Sequence, residues 1–117
     1  MIRYIFISLI FFVTTSNSQE YSIKKVLDLN EPWGSTFVNN NNLLITEKSG
    51  KIKIINLKTK EVININHNLN VLEYGQGGLL DIIFENNTVW VSYTEDRGNY
   101  KTSTSIAKGK FNKKLID

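Results

Sequence analysis

This 117-residue chain has no cysteine. No disulfide can staple it and no thiolate zinc site can form, so its hydrophobic core alone must hold the fold. It has no basic block: 14 Lys and Arg stand against 11 Asp and Glu, scattered along the chain, for a net charge of +3. A charge that small and that dispersed argues against a nucleic-acid or membrane-surface partner. Beyond the N-terminus there is no segment in which apolar residues recur at three-four spacing, so no helix is expected there. No apolar run reaches the roughly 20 residues needed to cross a bilayer.

What is present begins with an export signal. Met1-Ile2-Arg3 is a short basic start, and Tyr4 to Val13 is an apolar run of ten residues. Thr14 to Ser18 is small and polar, and Ser16-Asn17-Ser18 is a small-x-small cleavage pattern. This is the layout of a secretory signal peptide over residues 1–18. The expectation is a periplasmic or secreted mature chain over 19–117, with a charge of +2 once Arg3 is removed and no stable membrane anchor.

The mature segment reads as strands. "LLITEK" (Leu43–Lys48) and "KIKIIN" (Lys51–Asn56) flank Ser49-Gly50, a two-residue hairpin signal. "EVINI" (Glu61–Ile65) follows as a further strand. The pattern then returns as "LLDIIF" (Leu79–Phe84), Asn86-Asn87, "TVWVSYT" (Thr88–Thr94), a loop from Glu95 to Lys101, and "TSIAKGKF" (Thr104–Phe111). Phe37 and Phe84 correspond at an offset of 47 residues, as do Asn40 and Asn87. An all-strand repeat near about 40–45 residues suggests four-stranded antiparallel blades of a β-propeller. In "TVWVSYT" both faces carry bulk, as expected of a blade covered on each side rather than a sheet with one wet face. The alternative is an ordinary antiparallel sheet or half a sandwich. At this repeat length the mature chain makes roughly two blades, fewer than the about four to eight that close a ring.

Four ordered motifs carry a resemblance: Pro32-Trp33-Gly34, Leu43 to Glu47, "GQGGLLD" (Gly75 to Asp81) and Val91-Ser92-Tyr93. Together they resemble the N-terminal part of the soluble quinone-dependent aldose sugar dehydrogenases, the glucose/sorbosone dehydrogenase family. "GQGGLLD" is the most specific of them, and the likeness runs from about Leu29 to Phe111. The chain departs from the family after the "LLD" strand, where it turns directly at Phe84 to Thr88, and in the first blade turn, where Asn39 to Asn42 replace Pro-Asp-Gly.

The resemblance implies an all-β fold, here about the first two blades of a six-bladed propeller. It implies oxidation of an aldose at its anomeric carbon by hydride transfer to pyrroloquinoline quinone (PQQ), with calcium as a second cofactor. The family's catalytic histidine, its cofactor clamp and its metal ligands fall beyond Asp117, so no catalytic or metal residue is assigned. The expectation is a chain inactive by itself; a non-catalytic propeller-like binding or scaffold protein, or a decayed gene product, is the alternative reading. The resemblance makes Gln76 the candidate for binding a sugar hydroxyl or quinone oxygen, with Gly75, Gly77 and Gly78 shaping its loop. An amide can donate and accept hydrogen bonds there but cannot act as a base. Asp96, Arg97 and Asn99 are expected on the same mouth, as a possible rim or a solvated hairpin tip. The only histidine, His67, matches no family motif and is expected in an exposed loop. Trp33 and Trp90 are expected in the core or between blades, and Asp81 as a structural hydrogen-bond partner.

Overall fold

The computed structural model describes residues 18–112 and Ile116. The signal segment and its cleavage pattern therefore lie almost wholly outside the described residues. Seven strands follow in order: β1 (Pro32–Asn39), β2 (Asn42–Glu47), β3 (Lys51–Asn56), β4 (Val62–Ile65), β5 (Leu79–Glu85), β6 (Thr88–Asp96) and β7 (Thr102–Lys110). They form one antiparallel sheet in the order β1-β2-β3-β4 and a second in the order β5-β6-β7. Among the described residues no helix is long and apolar enough to cross a membrane.

The turns follow from their residues. Asn86 and Asn87 both take left-handed backbone, φ 49° and 58°, and close the β5–β6 hairpin as a two-residue turn between Glu85 and Thr88. At the β1–β2 turn the Asn39 carboxamide oxygen accepts the Asn41 and Asn42 amides, both at 2.9 Å, doing locally what a Pro-Asp-Gly turn does elsewhere. The β2–β3 connection differs from expectation. Glu47 pairs with Lys51, so Lys48 leaves the strand and the loop has three residues. Its last residue, Gly50, supplies φ 97° and donates its amide to the Glu47 carbonyl at 2.9 Å. One residue more in the loop frees the Lys48 carbonyl for a contact that shapes the site described below.

Alternation decides what is buried. In β6, Val89, Val91 and Tyr93 face the first sheet while Trp90 and Ser92 face away. The core lies between the sheets, with Leu44, Ile52, Ile54 and Ile65 on one side and Leu79, Ile82, Val89, Val91 and Tyr93 on the other. A bulge between Leu79 and Ile82 lets both leucine and isoleucine point inward.

The sheets do not stack evenly. They come closest where β1 and β2 meet β5, and diverge toward the outer strands. A sandwich would hold its sheets about 10 Å apart across their width; splaying from the innermost strands is how blades radiate from an axis. Gly34 permits the approach. A Cβ on it would lie 2.7 Å from both the Asp81 Cα and the Asp81 Oδ1. Behind Gly34, the fully buried Thr46 hydroxyl accepts the Gly34 amide at 2.9 Å and donates to the Leu80 carbonyl on β5. One hydroxyl thus ties β1, β2 and β5 together.

The opposite face of the first sheet is also covered. Ile45 and Ile55 point away from the second sheet yet are only 8% and 2% exposed. Val26, Leu27 and Leu29 of the extended N-terminal segment share a cleft with them and with Leu43. The two tryptophans are not in the core: Trp33 is 53% and Trp90 42% exposed, because both sit on outward sheet faces. Bulk on an outward face reads in a sequence exactly as bulk in a core does, which is why alternation alone could not separate them.

Candidate functional site

The sequence pointed to Gln76 and its three glycines. The structure makes them an exposed two-residue turn leading into β5. Tyr74 and Gly77 exchange backbone hydrogen bonds, the Gly77 amide to the Tyr74 carbonyl at 2.7 Å and the Tyr74 amide to the Gly77 carbonyl at 3.3 Å. Gly75 holds φ 56° at the first central position, as a II′-like hairpin turn requires. Gln76 at the tip is exposed, and its carboxamide has no partner among the described residues.

The base of the turn is tightly held. Gly78 has φ 155° and is buried, and a Cβ there would strike the Lys48 carbonyl oxygen. That carbonyl accepts the Leu79 amide at 3.0 Å, and the Gly78 carbonyl accepts the Thr94 amide at 2.8 Å. A Cβ on Gly77 would lie 2.7 Å from the Thr94 hydroxyl. The glycines therefore let the turn sit between the β2–β3 loop and β6, while Gln76 stays free above it.

Neighbouring segments are tied to this end of the sheets by backbone bonds. The Lys48 amide binds the Glu31 carbonyl at 3.0 Å, joining the lead-in to β1. The Asn70–Leu72 stretch runs along the end of β6, with the Leu72 amide on the Thr94 carbonyl at 2.9 Å and the Asp96 amide on the Asn70 carbonyl at 3.1 Å. Asp96, Arg97 and Asn99 lie in the adjoining β6–β7 hairpin. Asp96 Oδ1 accepts the Gly98 amide at 2.8 Å. The Arg97 guanidinium reaches the Glu95 carboxylate at 2.9 Å and donates through Nε to the Ser103 hydroxyl at 3.0 Å. Asn99 is exposed at the tip with φ 50°. Asp96 and Arg97 thus spend polar groups inside their own hairpin.

His67 is not an exposed loop residue. It is half-buried, with Nε2 at 2.7 Å from the Gly50 carbonyl and Nδ1 accepting the Leu69 amide at 3.2 Å. Since a carbonyl can only accept, Nε2 carries the proton, and the ring braces the intersheet connection against the β2–β3 loop. Asp81 serves the local hydrogen-bonding role expected of it: its Oδ1 accepts the Ile82 amide at 2.9 Å.

The sequence reading missed Glu47. It is fully buried at the end of β2, where its Oε1 accepts the Lys53 ammonium at 2.7 Å and the Asn30 amide at 2.9 Å. Burial pushes its carboxyl up, but the Lys53 hydrogen bond, the Asn30 amide and the charges of Lys53 and Lys51 together outweigh burial and hold it below the usual carboxylate range. Glu47 thereby fixes the N-terminal segment at Asn30 to the end of β2, next to the loop that begins with Lys48. The available signal was an acidic residue closing the apolar strand "LLITE", with lysine two residues inward on its partner strand.

A cleft of about 450 Å³ lies at the other end of the second sheet, lined by Glu85, Thr88, Trp90, Lys108 and Lys110 among others. It is remote from the Gln76 turn, since Glu85 and Thr88 flank the hairpin at the far end of β5. Among the described residues no group of three or more His, Cys, Asp and Glu comes together to hold a metal ion.

Comparison with solved structures places this geometry. A glucose dehydrogenase superposes with a TM-score of 0.73 at 25% identity, over 80% of this chain and 30% of its own. The soluble aldose sugar dehydrogenase of Escherichia coli, in its apo form, gives 0.68 at 26% identity over 75% and 28%. The PQQ-bound aldose sugar dehydrogenase of Streptomyces coelicolor shares the fold, with a TM-score of 0.65 at 22% identity over 74% and 26%. This chain thus spans less than a third of the length of these structures. A search of curated proteins by sequence gives no match. The family profile Glucose / Sorbosone dehydrogenase matches residues 29–117, the described fold and all of its strands. The chain belongs to the glucose/sorbosone dehydrogenase family.

Proposed function

We propose that this chain is the N-terminal, two-blade part of an exported PQQ-dependent aldose sugar dehydrogenase, and that Gln76 forms one wall of its sugar or quinone site. The observation that carries the reading is the free Gln76 carboxamide, held at an exposed tip above a turn closed by the Tyr74–Gly77 bonds and anchored below by Gly78 to Thr94 and Leu79 to Lys48. A rigid base with an unpaired amide above it can orient a hydroxyl or carbonyl at little ordering cost. Asp96, Arg97 and Asn99 stand as its rim. Export rests on the layout of residues 1–18.

The described residues do not by themselves fit the cofactors. They bring together no carboxylate cluster for calcium, and the Gln76 turn offers one amide and backbone groups rather than an anion clamp. Gln76 cannot take up the hydroxyl proton, and His67 has both ring nitrogens engaged in the fold. The role derived for this chain is therefore binding and orientation, with proton removal and charge stabilisation falling to residues outside it.

Two measurements test this. The purified chain given PQQ, calcium, glucose and a dye acceptor should show no turnover; turnover would refute the division of labour. In amide-resolved NMR, millimolar glucose or PQQ should shift the Gln76 side-chain amide and the Gly75, Gly77 and Gly78 signals. Shifts confined to the Trp90 cleft would sink the assignment.

A further inference from the structure

The Gln76 carboxamide is not the only unengaged group in the turn that leads into β5. Tyr74, which opens the turn, is 81% exposed, and its hydroxyl has no hydrogen-bond partner among the described residues. Its backbone is nonetheless fixed. Tyr74 and Gly77 exchange amide–carbonyl bonds at 2.7 and 3.3 Å. Both legs of the turn are then clamped on one residue of β6: the Leu72 amide donates to the Thr94 carbonyl at 2.9 Å, and the Thr94 amide donates to the Gly78 carbonyl at 2.8 Å. An aromatic side chain paired with glycine across a hairpin commonly folds over it and covers the bare backbone. Tyr74 is paired with Gly77, yet its ring stays in solvent. The turn lies at the end of the sheets, where loops meet, and not on a sheet face that a neighbouring blade covers.

We infer that Tyr74 is a specificity-determining residue of the Gln76 site, its ring a platform for the C–H face of a neutral pyranose; this rests on the sugar reading of Gln76 given above. A pyranose has an apolar face of C–H groups and an edge of hydroxyls. An aromatic ring covers the first, and a carboxamide donates to and accepts from the second. The ordering cost is low, because a tyrosine side chain has few torsions to fix and the backbone beneath it is already held. Charge favours a neutral ligand over an anionic quinone. Glu73 precedes Tyr74, and Lys48 lays its stem under the turn, where a Cβ on Gly78 would lie 2.6 Å from the Lys48 Cγ. One acid and one base leave no net charge for an anion to answer.

The β6–β7 hairpin supplies a control. Tyr100 is fully exposed near its tip, outside the clamped turn. Arg97, where that hairpin closes on Lys101, is three residues past Thr94 along the chain, roughly 10 Å beyond the clamp.

Glucose titrated into the purified chain at millimolar concentration, followed by NMR, should move the Tyr74 ring signals together with the Gln76 side-chain amide. Tyr74→Ala should weaken glucose binding about fivefold, and Tyr74→Phe should hold it within about twofold, since the ring and not the hydroxyl makes the contact. Sorbitol is the discriminating probe: it carries hydroxyls like those of glucose on an open chain with no ring face. Wild type and Tyr74→Phe should prefer glucose to sorbitol, and Tyr74→Ala should bind the two alike. A merely structural role would weaken both sugars together. Tyr100→Ala should bind as wild type does, and an unchanged Gly77 amide signal would show that the turn is intact. Glucose that moves Gln76 but not Tyr74, a Tyr74→Ala variant that keeps its affinity or its preference, or an equal loss in Tyr100→Ala overturns the platform and leaves the Gln76 site standing. Glucose that moves neither residue overturns both. PQQ moving the Tyr74 ring where glucose does not overturns the sugar assignment.

Discussion

Replacing Thr46 by valine should loosen the joint between the two sheets more than any other change of comparable size. Valine has nearly the shape of threonine, so packing is kept and only the hydroxyl is lost. That hydroxyl serves two backbone groups, the Gly34 amide at 2.9 Å and the Leu80 carbonyl. Thr46 itself is 0% exposed, so water cannot take its place without a rearrangement. An unsatisfied buried backbone group costs about 1–3 kcal/mol, which puts Thr46→Val at about 2–6 kcal/mol for the two. In a domain of this size each kcal/mol lowers the melting temperature by about 4–8 °C, so a drop of at least about 10 °C is expected. Thr46→Ser keeps the hydroxyl and loses one methyl, for about 1 kcal/mol. Urea unfolding followed by tryptophan fluorescence compares the three proteins. Valine as stable as wild type, or serine less stable than valine, would refute the view that the hydroxyl rather than the packing holds β5 to the first sheet.

Two glycines in one loop should behave differently. Gly75→Ala meets no atom within 4 Å and pays only for φ 56°, about 1 kcal/mol. Gly78→Ala drives a Cβ into the Lys48 carbonyl, loosens the bond that carbonyl accepts from Leu79, and should cost at least about 2–3 kcal/mol by thermal melts; equal costs would contradict the packing described. Glu47 predicts a pH effect. Its folded carboxyl is held below the ordinary value of 4.5, so its contribution is complete above that value and is lost as pH falls through the lower folded one. Glu47→Gln should therefore be less stable at neutral pH and show a shallower loss of stability in acid; parallel stability–pH curves would refute the assignment. His67→Ala removes the brace between Gly50 and Leu69, and hydrogen exchange at Leu69 and Gly50 should quicken while the β5–β6 hairpin is unaffected.

The strands were legible because each obeys a local rule. Alternation in "TVWVSYT" placed Val89, Val91 and Tyr93 on one face, and Asn86-Asn87 specified a two-residue turn through two left-handed residues. The lead-in role of "GQGGLLD" was legible for the same reason: glycine marks positions where the backbone needs positive φ or close approach. The length of the β2–β3 loop was not. "EKSGK" is compatible with a two- or three-residue loop, and the choice rests on the Lys48 carbonyl finding Leu79, thirty-one residues further on. His67 and Glu47 escaped for a related reason. Each is a polar residue whose partners are distant in sequence: Gly50 for His67, Asn30 for Glu47.

By itself the sequence determined the all-β class, the hairpins, the absence of cysteine chemistry and a motif order specific enough to name a family. The class and the hairpins depend on residues within one or two turns of each other, where sterics and alternation act. Only the tertiary structure decided that the sheets splay from β1 and β5, that Gln76 stands free above a fixed base, and that Trp33 and Trp90 lie on outward faces. Those depend on which sheet faces which, and a period-two pattern is identical for a face that is covered and a face that is bare.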